Sequence, residues 1–163
     1  MSNSSILIRE YEPADLDALI DVFRAAIMQT ASANYSEAQR TAWAQVDKVT
    51  WSERRLSRPT WLAEVNGSVA GFTDLEPDGH LDMMYVHPRF ARFGVATALL
   101  DTAEHHARKL GLARIYSEVS LTARPFFERH GFRVVEPERV HRNGQWFDRF
   151  RMDKALVTTQ PGG

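Results

Sequence analysis

The segment from Leu81 to Leu100 has the residue types and spacing with the clearest chemical use. An apolar run ends at Tyr85-Val86, His87-Pro88 fixes its exit, and a turn carrying Gly94 leads directly into a second apolar pattern. The first amides of a helix have no internal partner and point outward with the positive end of the helix dipole. Glycine lets a backbone approach a ligand closely and take a positive φ. Strand, glycine turn and helix N-terminus in that order make a main-chain cradle for a pyrophosphate. Two common nucleotide sites do not fit, because there is no Gly-x-Gly-x-x-Gly and no Gly-Lys-Ser/Thr follows the turn. The chain has no cysteine, which removes disulfides, thiolate metal sites and a cysteine nucleophile together.

Such a cradle must be held by regular elements, and the flanking pattern supplies them. Ile6 to Arg9 reads as a strand. Leu16, Leu19, Ile20, Phe23 and Ile27 then recur at three- and four-residue steps, the apolar stripe of an amphipathic helix. Ser36 with Gln39 reads as a capping box opening a helix through Trp43, and a short helix is expected over Trp51 to Leu56. Thr60 to Val65 and Ser68 to Phe72 flank Asn66-Gly67, a strong hairpin signal. His80 to Val86 reads as a third strand, and Val95 to Leu110 as a long helix stopped by Gly111. Ala113 to Val119 alternates as a strand that should run parallel to the third, because a helix crosses between them. Thr122 is the expected cap of a short helix carrying Phe126 and Phe127. Two strands, Phe132 to Val135 and Trp146 to Met152, flank an Arg142-Asn143-Gly144 turn.

The 163 residues fit one domain over 1–157, with 158–163 expected as a disordered tail. A formal net charge of −1 argues against a nucleic-acid partner. No apolar run approaches the roughly 18 residues of a membrane span, so the expectation is a soluble, cytoplasmic protein without a membrane partner. Oligomeric state is left open, with a homodimer as the candidate assembly.

Tyr85-Val-His-Pro88, Gly94-Val-Ala96 and Ala98-Leu-Leu100 together resemble motif A of the GNAT superfamily of acyl-CoA N-acyltransferases. Ala123-Arg-Pro-Phe-Phe-Glu-Arg-His-Gly-Phe132 resembles its motif B, and the likeness covers roughly residues 6 to 154. The resemblance implies a mixed α/β fold of about seven strands with helices on both faces. It implies acetyl-CoA as acyl donor, no metal, and acetyl transfer to a primary amine of a small molecule or peptide. With no cysteine to carry the acetyl group, direct attack in a ternary complex is favoured. A protein or peptide N-terminal acetyltransferase and a non-catalytic CoA-binding regulatory module are the alternatives.

By the same resemblance, the strands ending at Val86 and Val119 splay, leaving Met84, Tyr85 and Val86 to pair with pantetheine. Ala91, Arg92, Phe93, Gly94, Val95, Ala96 and Thr97 cradle the pyrophosphate, and Ser120, Ala123, Phe126 and Phe127 complete the cofactor site. The first helices and the final hairpin cover the acceptor, with Phe23, Tyr35, Trp43, Arg142 and Trp146 as candidate lining. Three positions depart from the family pattern. Ala91 stands for the usual Gln or Arg, Arg92 for a frequent glycine, and Phe127 for a tyrosine that protonates the leaving thiolate in many members. Arg92 is read as a contact to a CoA phosphate or as a solvated loop residue. Tyr85, Tyr116, Ser120, water or the substrate are the candidate acids in place of Phe127.

Alternation puts His80, Asp82, Met84 and Val86 on one strand face. The family places its catalytic base on this strand, making Asp82 the first candidate and His80 the second. The competing reading is that both tune a pocket without moving a proton. His105 and His106 read as solvated surface.

Overall fold

In a computed structural model, which describes residues 5–156, Ile6–Glu10 (β1), Thr60–Val65 (β2) and Ser68–Asp74 (β3) form an antiparallel meander. Met84–Val86 (β4) adds to its edge through β3. A second antiparallel sheet consists of Arg114–Ser120 (β5), Arg133–Arg142 (β6) and Gln145–Ala155 (β7), in the order β5-β7-β6. The helices are Leu16–Met28 (α1), Glu37–Trp43 (α2), Lys48–Ser57 (α3), Val95–Lys109 (α4) and Arg124–Arg129 (α5). Seven strands with helices on both faces match the expected fold, with the sheet divided into two hydrogen-bonded halves. The tail expected over 158–163 lies outside the described residues.

Both faces of the first sheet are buried, which is why Thr60–Val65 reads as a nearly continuous apolar run. Val95 and Leu99 of α4 pack on Ala63, Val65 and Ala70. Further along, Leu100, Ala103 and Ala107 of the same helix meet Ile115, Val119, Phe127 and Met152. On the opposite face, Leu19, Ile20, Phe23 and Ile27 of α1 join Trp51, Leu62 and Phe72. Gly71 makes the close approach possible, since a Cβ there would sit 2.8 Å from the Tyr85 carbonyl oxygen and 3.0 Å from Val95 Cγ1.

The two halves touch where the sequence placed the parallel pair. His80 bridges Tyr116 in parallel, with Leu81 N–H donating to the Tyr116 carbonyl at 2.9 Å and Tyr116 N–H to the Gly79 carbonyl at 3.0 Å. Beyond that contact, among the described residues, β4 pairs with β3 and β5 with β7 alone. The chains splay apart as expected.

Several boundaries differ from expectation. The third strand covers only Met84–Val86, because the Asp74 carboxylate accepts the Asp82 and Met83 amides at 3.0 and 2.9 Å. A side chain thus replaces the ladder, and residues 80–83 lose the alternation assumed for His80, Asp82, Met84 and Val86. β6 continues through Pro137, which an edge strand tolerates. α3 begins earlier than expected because Asp47 caps it, accepting from Val49 and Thr50. Thr122 does not cap α5; its hydroxyl donates to Asn34 Oδ1, and Ser120 Oγ accepts from the Ala123 amide instead.

Asp74 is itself fully buried beside the equally buried Arg55, whose Nη2 donates to it at 3.0 Å. Burial pushes the Asp74 carboxyl up to about 6 and the Arg55 guanidinium below its ordinary value. Removing one partner strands the other charge, so Asp74→Ala is expected to lose about 3–5 kcal/mol in urea unfolding. A loss under about 1 kcal/mol would show that the pair does not organise this region.

Candidate active site

A cleft of about 510 Å³ opens between the diverging ends of β4 and β5 and reaches the start of α4. Met84, Tyr85 and Val86 line it from β4, and Gly94, Val95, Ala96 and Thr97 from the turn and first helical residues. The turn uses two of its own amides: Ala91 N–H donates to the Pro88 carbonyl and Phe93 N–H to the Phe90 carbonyl. The amides of Arg92, Gly94, Val95, Ala96 and Thr97 find no backbone acceptor among the described residues. Five unpartnered donors at a helix start fit a pyrophosphate.

Conformation, not crowding, explains Gly94. Its φ is +81°, while a Cβ there would meet nothing closer than Ile6 Cδ1 at 3.9 Å. Arg92 also has a positive φ, +69°, which costs a non-glycine residue roughly 1–2 kcal/mol. The glycine expected at that position has this physical reason, and Arg92 keeps the conformation while adding a cation to the cleft wall. Ala91 lines the cleft as well. Phe93 does not line it: its half-exposed ring turns out against the edge of Phe90, and its amide is already used within the turn.

The opposite wall comes from Ser120, Ala123, Phe126 and Phe127. Phe127 is buried, edge-on to Phe126 and Phe132, so this wall carries no phenol. His130 ties α5 to α4, its Nδ1 bonding the Phe126 carbonyl at 2.9 Å and its Nε2 the Thr97 hydroxyl at 3.1 Å.

A second cavity, of about 270 Å³, lies beside the cleft. Phe23, Tyr35, Trp43, Trp51 and Phe147 form its aromatic walls, and Arg142 also lines it. The Tyr35 hydroxyl donates to the Asp148 carbonyl at 2.7 Å and accepts from the Leu121 amide at 2.9 Å, joining the early helical region to the last hairpin. Trp146 is a correction: more than half exposed, it packs on His141 outside the cavity, while its neighbour Phe147 points inward. Alternation along β7 allows only one of the two to face in.

The two cavities meet. Trp43, Tyr85 and Ser120 line both. The apolar rings of Phe23 and Phe72 lie around Tyr85, and burial pushes its phenol above the ordinary range. Tyr116 is elsewhere, its hydroxyl bonded to Asp78 and its ring stacked on His80, so the structure removes it as an acid candidate.

Asp82 lines the second cavity together with Met83, while Met84 and Val86 line the first cleft. The Asp82 carboxylate lies 3.2 Å from Arg58 Nη1. His80 lies between Glu118 at 2.8 Å and Glu76 at 2.9 Å, and the Glu118 hydrogen bond raises its pKa to about 9. The same hydrogen bond lowers the Glu118 pKa. His80 is therefore an imidazolium at neutral pH, placed to hold Glu118 rather than to take a proton. Glu76, His80 and Asp82 bring possible ligand atoms within 4.8 Å of one another, but each already has a charged protein partner.

Sequence reasoning missed Glu118, Trp51, Phe147, Arg54 and Arg149 as lining residues. Alternation on β5 carried a signal, since Ile115, Ser117 and Val119 are buried while Tyr116, Glu118 and Ser120 share the other face. Nothing local in the sequence marks the others.

A family model for the acetyltransferase (GNAT) domain matches residues 30–155. The chain is 38% identical over 149 residues to the uncharacterized N-acetyltransferase YafP of Escherichia coli K12, covering 91% of this chain and 95% of that protein. Its structure is similar to that of a GCN5-related N-acetyltransferase from Rhodopseudomonas palustris, with a TM-score of 0.91, 33% identity, and coverage of 96% and 99%. It shares the fold of the PaiA N-acetyltransferase from Thermoplasma acidophilum, solved with coenzyme A, with a TM-score of 0.72, 23% identity, and coverage of 93% and 99%.

The His80 bridge has a measurable pH signature. Its folded pKa lies above the unfolded value near 6.5, so the stability it contributes is complete below about pH 6.5 and lost as pH rises through about 9. With partial exposure discounted, the contribution is on the order of 1–2 kcal/mol. Wild type is therefore expected to lose that much relative to His80→Gln between pH 6.5 and 10, read by chemical denaturation. Parallel pH profiles for the two proteins would refute the bridge.

Proposed function

Because the chain belongs to the GNAT family of acetyltransferases, we propose that it acetylates the primary amine of a small molecule or peptide by direct attack within a ternary complex. The protein is an acetyl-CoA-dependent N-acetyltransferase of the GNAT type; the proposal concerns its acceptor, its route and its working residues. The observation that carries it is the meeting of the two cavities at Trp43, Tyr85 and Ser120. An acyl donor in one cavity and an amine in the other come together there without a carrier residue, and the chain has no cysteine to act as one.

When bound, acetyl-CoA supplies an activated thioester. The amides of Arg92 and of Gly94 to Thr97 hold its pyrophosphate, and the unpaired edge of β4 receives the peptide-like pantetheine arm. Main-chain N–H groups of β4 stabilise negative charge on the carbonyl oxygen during attack. Asp82, in the acceptor wall, takes the proton released by the amine. Tyr85, at the junction, donates a proton to the departing thiolate, replacing the hydroxyl that Phe127 lacks. Burial keeps the phenol protonated at neutral pH, so it can donate a hydrogen bond to the sulfur as negative charge develops there.

Three variants separate these roles. Asp82→Asn is expected to lower kcat/KM for CoA release by roughly 10²-fold or more; a loss below about threefold removes Asp82 as the base. Tyr85→Phe is expected to lower kcat by about tenfold or more with CoA affinity intact, and an unchanged kcat shifts the donor to Ser120 or water. Gly94→Val is expected to weaken CoA binding by about tenfold in calorimetry, since valine resists the positive φ. CoA binding without release from any amine would place the chain among CoA-binding modules.

A further inference from the structure

The wall of the acceptor cavity is not balanced in charge. Of its five charged residues, three have ion-pair partners outside it: Asp82 meets Arg58 at 3.2 Å, Glu118 meets His80 at 2.8 Å, and Arg149 meets Glu138 at 2.5 Å, with Arg58 and His80 each also serving Glu76. The other two, Arg54 and Arg142, have no ion-pair or side-chain hydrogen-bond partner among the described residues. Both are solvent-exposed residues of a cavity that also presents the rings of Phe23, Tyr35, Trp43, Trp51, Tyr85 and Phe147.

Neither arginine sits on a loose segment. Arg54 lies one turn beyond Trp51 on α3, on the same helix face. Arg142 ends β6 next to Asn143, whose Nδ2 donates to the Ala42 carbonyl at 2.9 Å and so ties the hairpin tip to α2. Two arginines from separate elements, α3 and the end of β6, thus line one cavity.

An ammonium group entering alone meets two uncompensated positive charges. An amine that also carries an anion cancels them, and guanidinium forks match carboxylate geometry in particular. The volume of about 270 Å³ lies just below the usual small-ligand range of roughly 300–1,000 Å³, which suits a molecule of amino-acid size. On the reading that the chain acetylates amines, we propose that its acceptor is a small primary amine bearing a carboxylate on an apolar or aromatic body. The carboxylate binds Arg54 and Arg142, and the amine lies toward Asp82 and the junction. Polycationic amines are disfavoured by the same charge account.

The test is a panel of α-, β- and γ-amino acids with phenyl or isobutyl bodies, each paired with its decarboxylated or amidated counterpart, plus spermidine. CoA release and quenching of tryptophan fluorescence in the CoA complex are both read, because Trp43 and Trp51 line the cavity. At least one carboxylate-bearing member is expected to exceed its counterpart about tenfold in kcat/KM, the scale of one charge-assisted hydrogen bond. The Arg54→Gln/Arg142→Gln variant is expected to raise its KM and bring it down to its counterpart's level. Equal or better turnover of neutral amines or spermidine, or a carboxylate preference that survives the double variant, overturns the proposal. Carboxylate-dependent quenching without CoA release from any amine sinks the transfer reading and leaves the anion site standing. No carboxylate preference in either readout overturns the anion site itself.

Discussion

Arg55 and Asp74 meet where no water reaches either side chain, and the surrounding chain is arranged around that pair. Two buried charges are expensive unless every remaining lone pair and proton is occupied. Asp74 meets that demand by accepting from Arg55 and from two successive amides, those of Asp82 and Met83. Taking those amides prevents a full-length strand before Met84. It also turns Asp82 and Met83 together into the wall of the second cavity, where regular alternation would have sent one of them away. Arg58, 3.6 Å from the same carboxylate, continues the network to Glu76 and Asp82.

The opening between the sheet halves is held at its base rather than along its length. His80 and Tyr116 make the last parallel contact, reinforced by the Ser117 hydroxyl donating to the Leu81 carbonyl at 2.6 Å and by the His80–Glu118 ion pair. Past this clasp, β4 keeps one edge unpaired while β5 turns away toward β7. An unpaired edge usually invites aggregation. Here it lines a cleft together with the first residues of α4 and the rings of α5, a shape that suits an elongated amide-bearing arm.

The elements that follow local rules were legible in the sequence. The Asn66-Gly67 hairpin, the capping box at Ser36 and the long helix stopped before Gly111 all stand where the residue types place them. Gly94 was read correctly for a conformational reason, and its φ of +81° is that reason. What could not be read depended on distant partners. Nothing near Asp74 in sequence says that it will replace the ladder eight residues on. Nothing in Trp146-Phe147 says which ring faces in, because the choice is set by packing on Tyr35 and Trp43, about a hundred residues away in sequence. Tyr116 looked available as an acid until the turn before β4 brought Asp78 to its hydroxyl.

β7, the last strand in chain order, occupies the middle of its sheet, with β5 on one side and β6 on the other. While the chain is being synthesised, β5 and β6 therefore emerge with no partner between them and cannot pair with each other in the native arrangement. Both wait for Gln145 to Ala155, and so does the Tyr35 hydroxyl, whose acceptor is the Asp148 carbonyl. β6 meets β7 across a two-residue turn, whereas the pairings of β5 and Tyr35 span long separations, form slowly, and leave those segments exposed in the meantime. The wall that Phe147 and Arg149 give the second cavity thus forms only once β7 has been made.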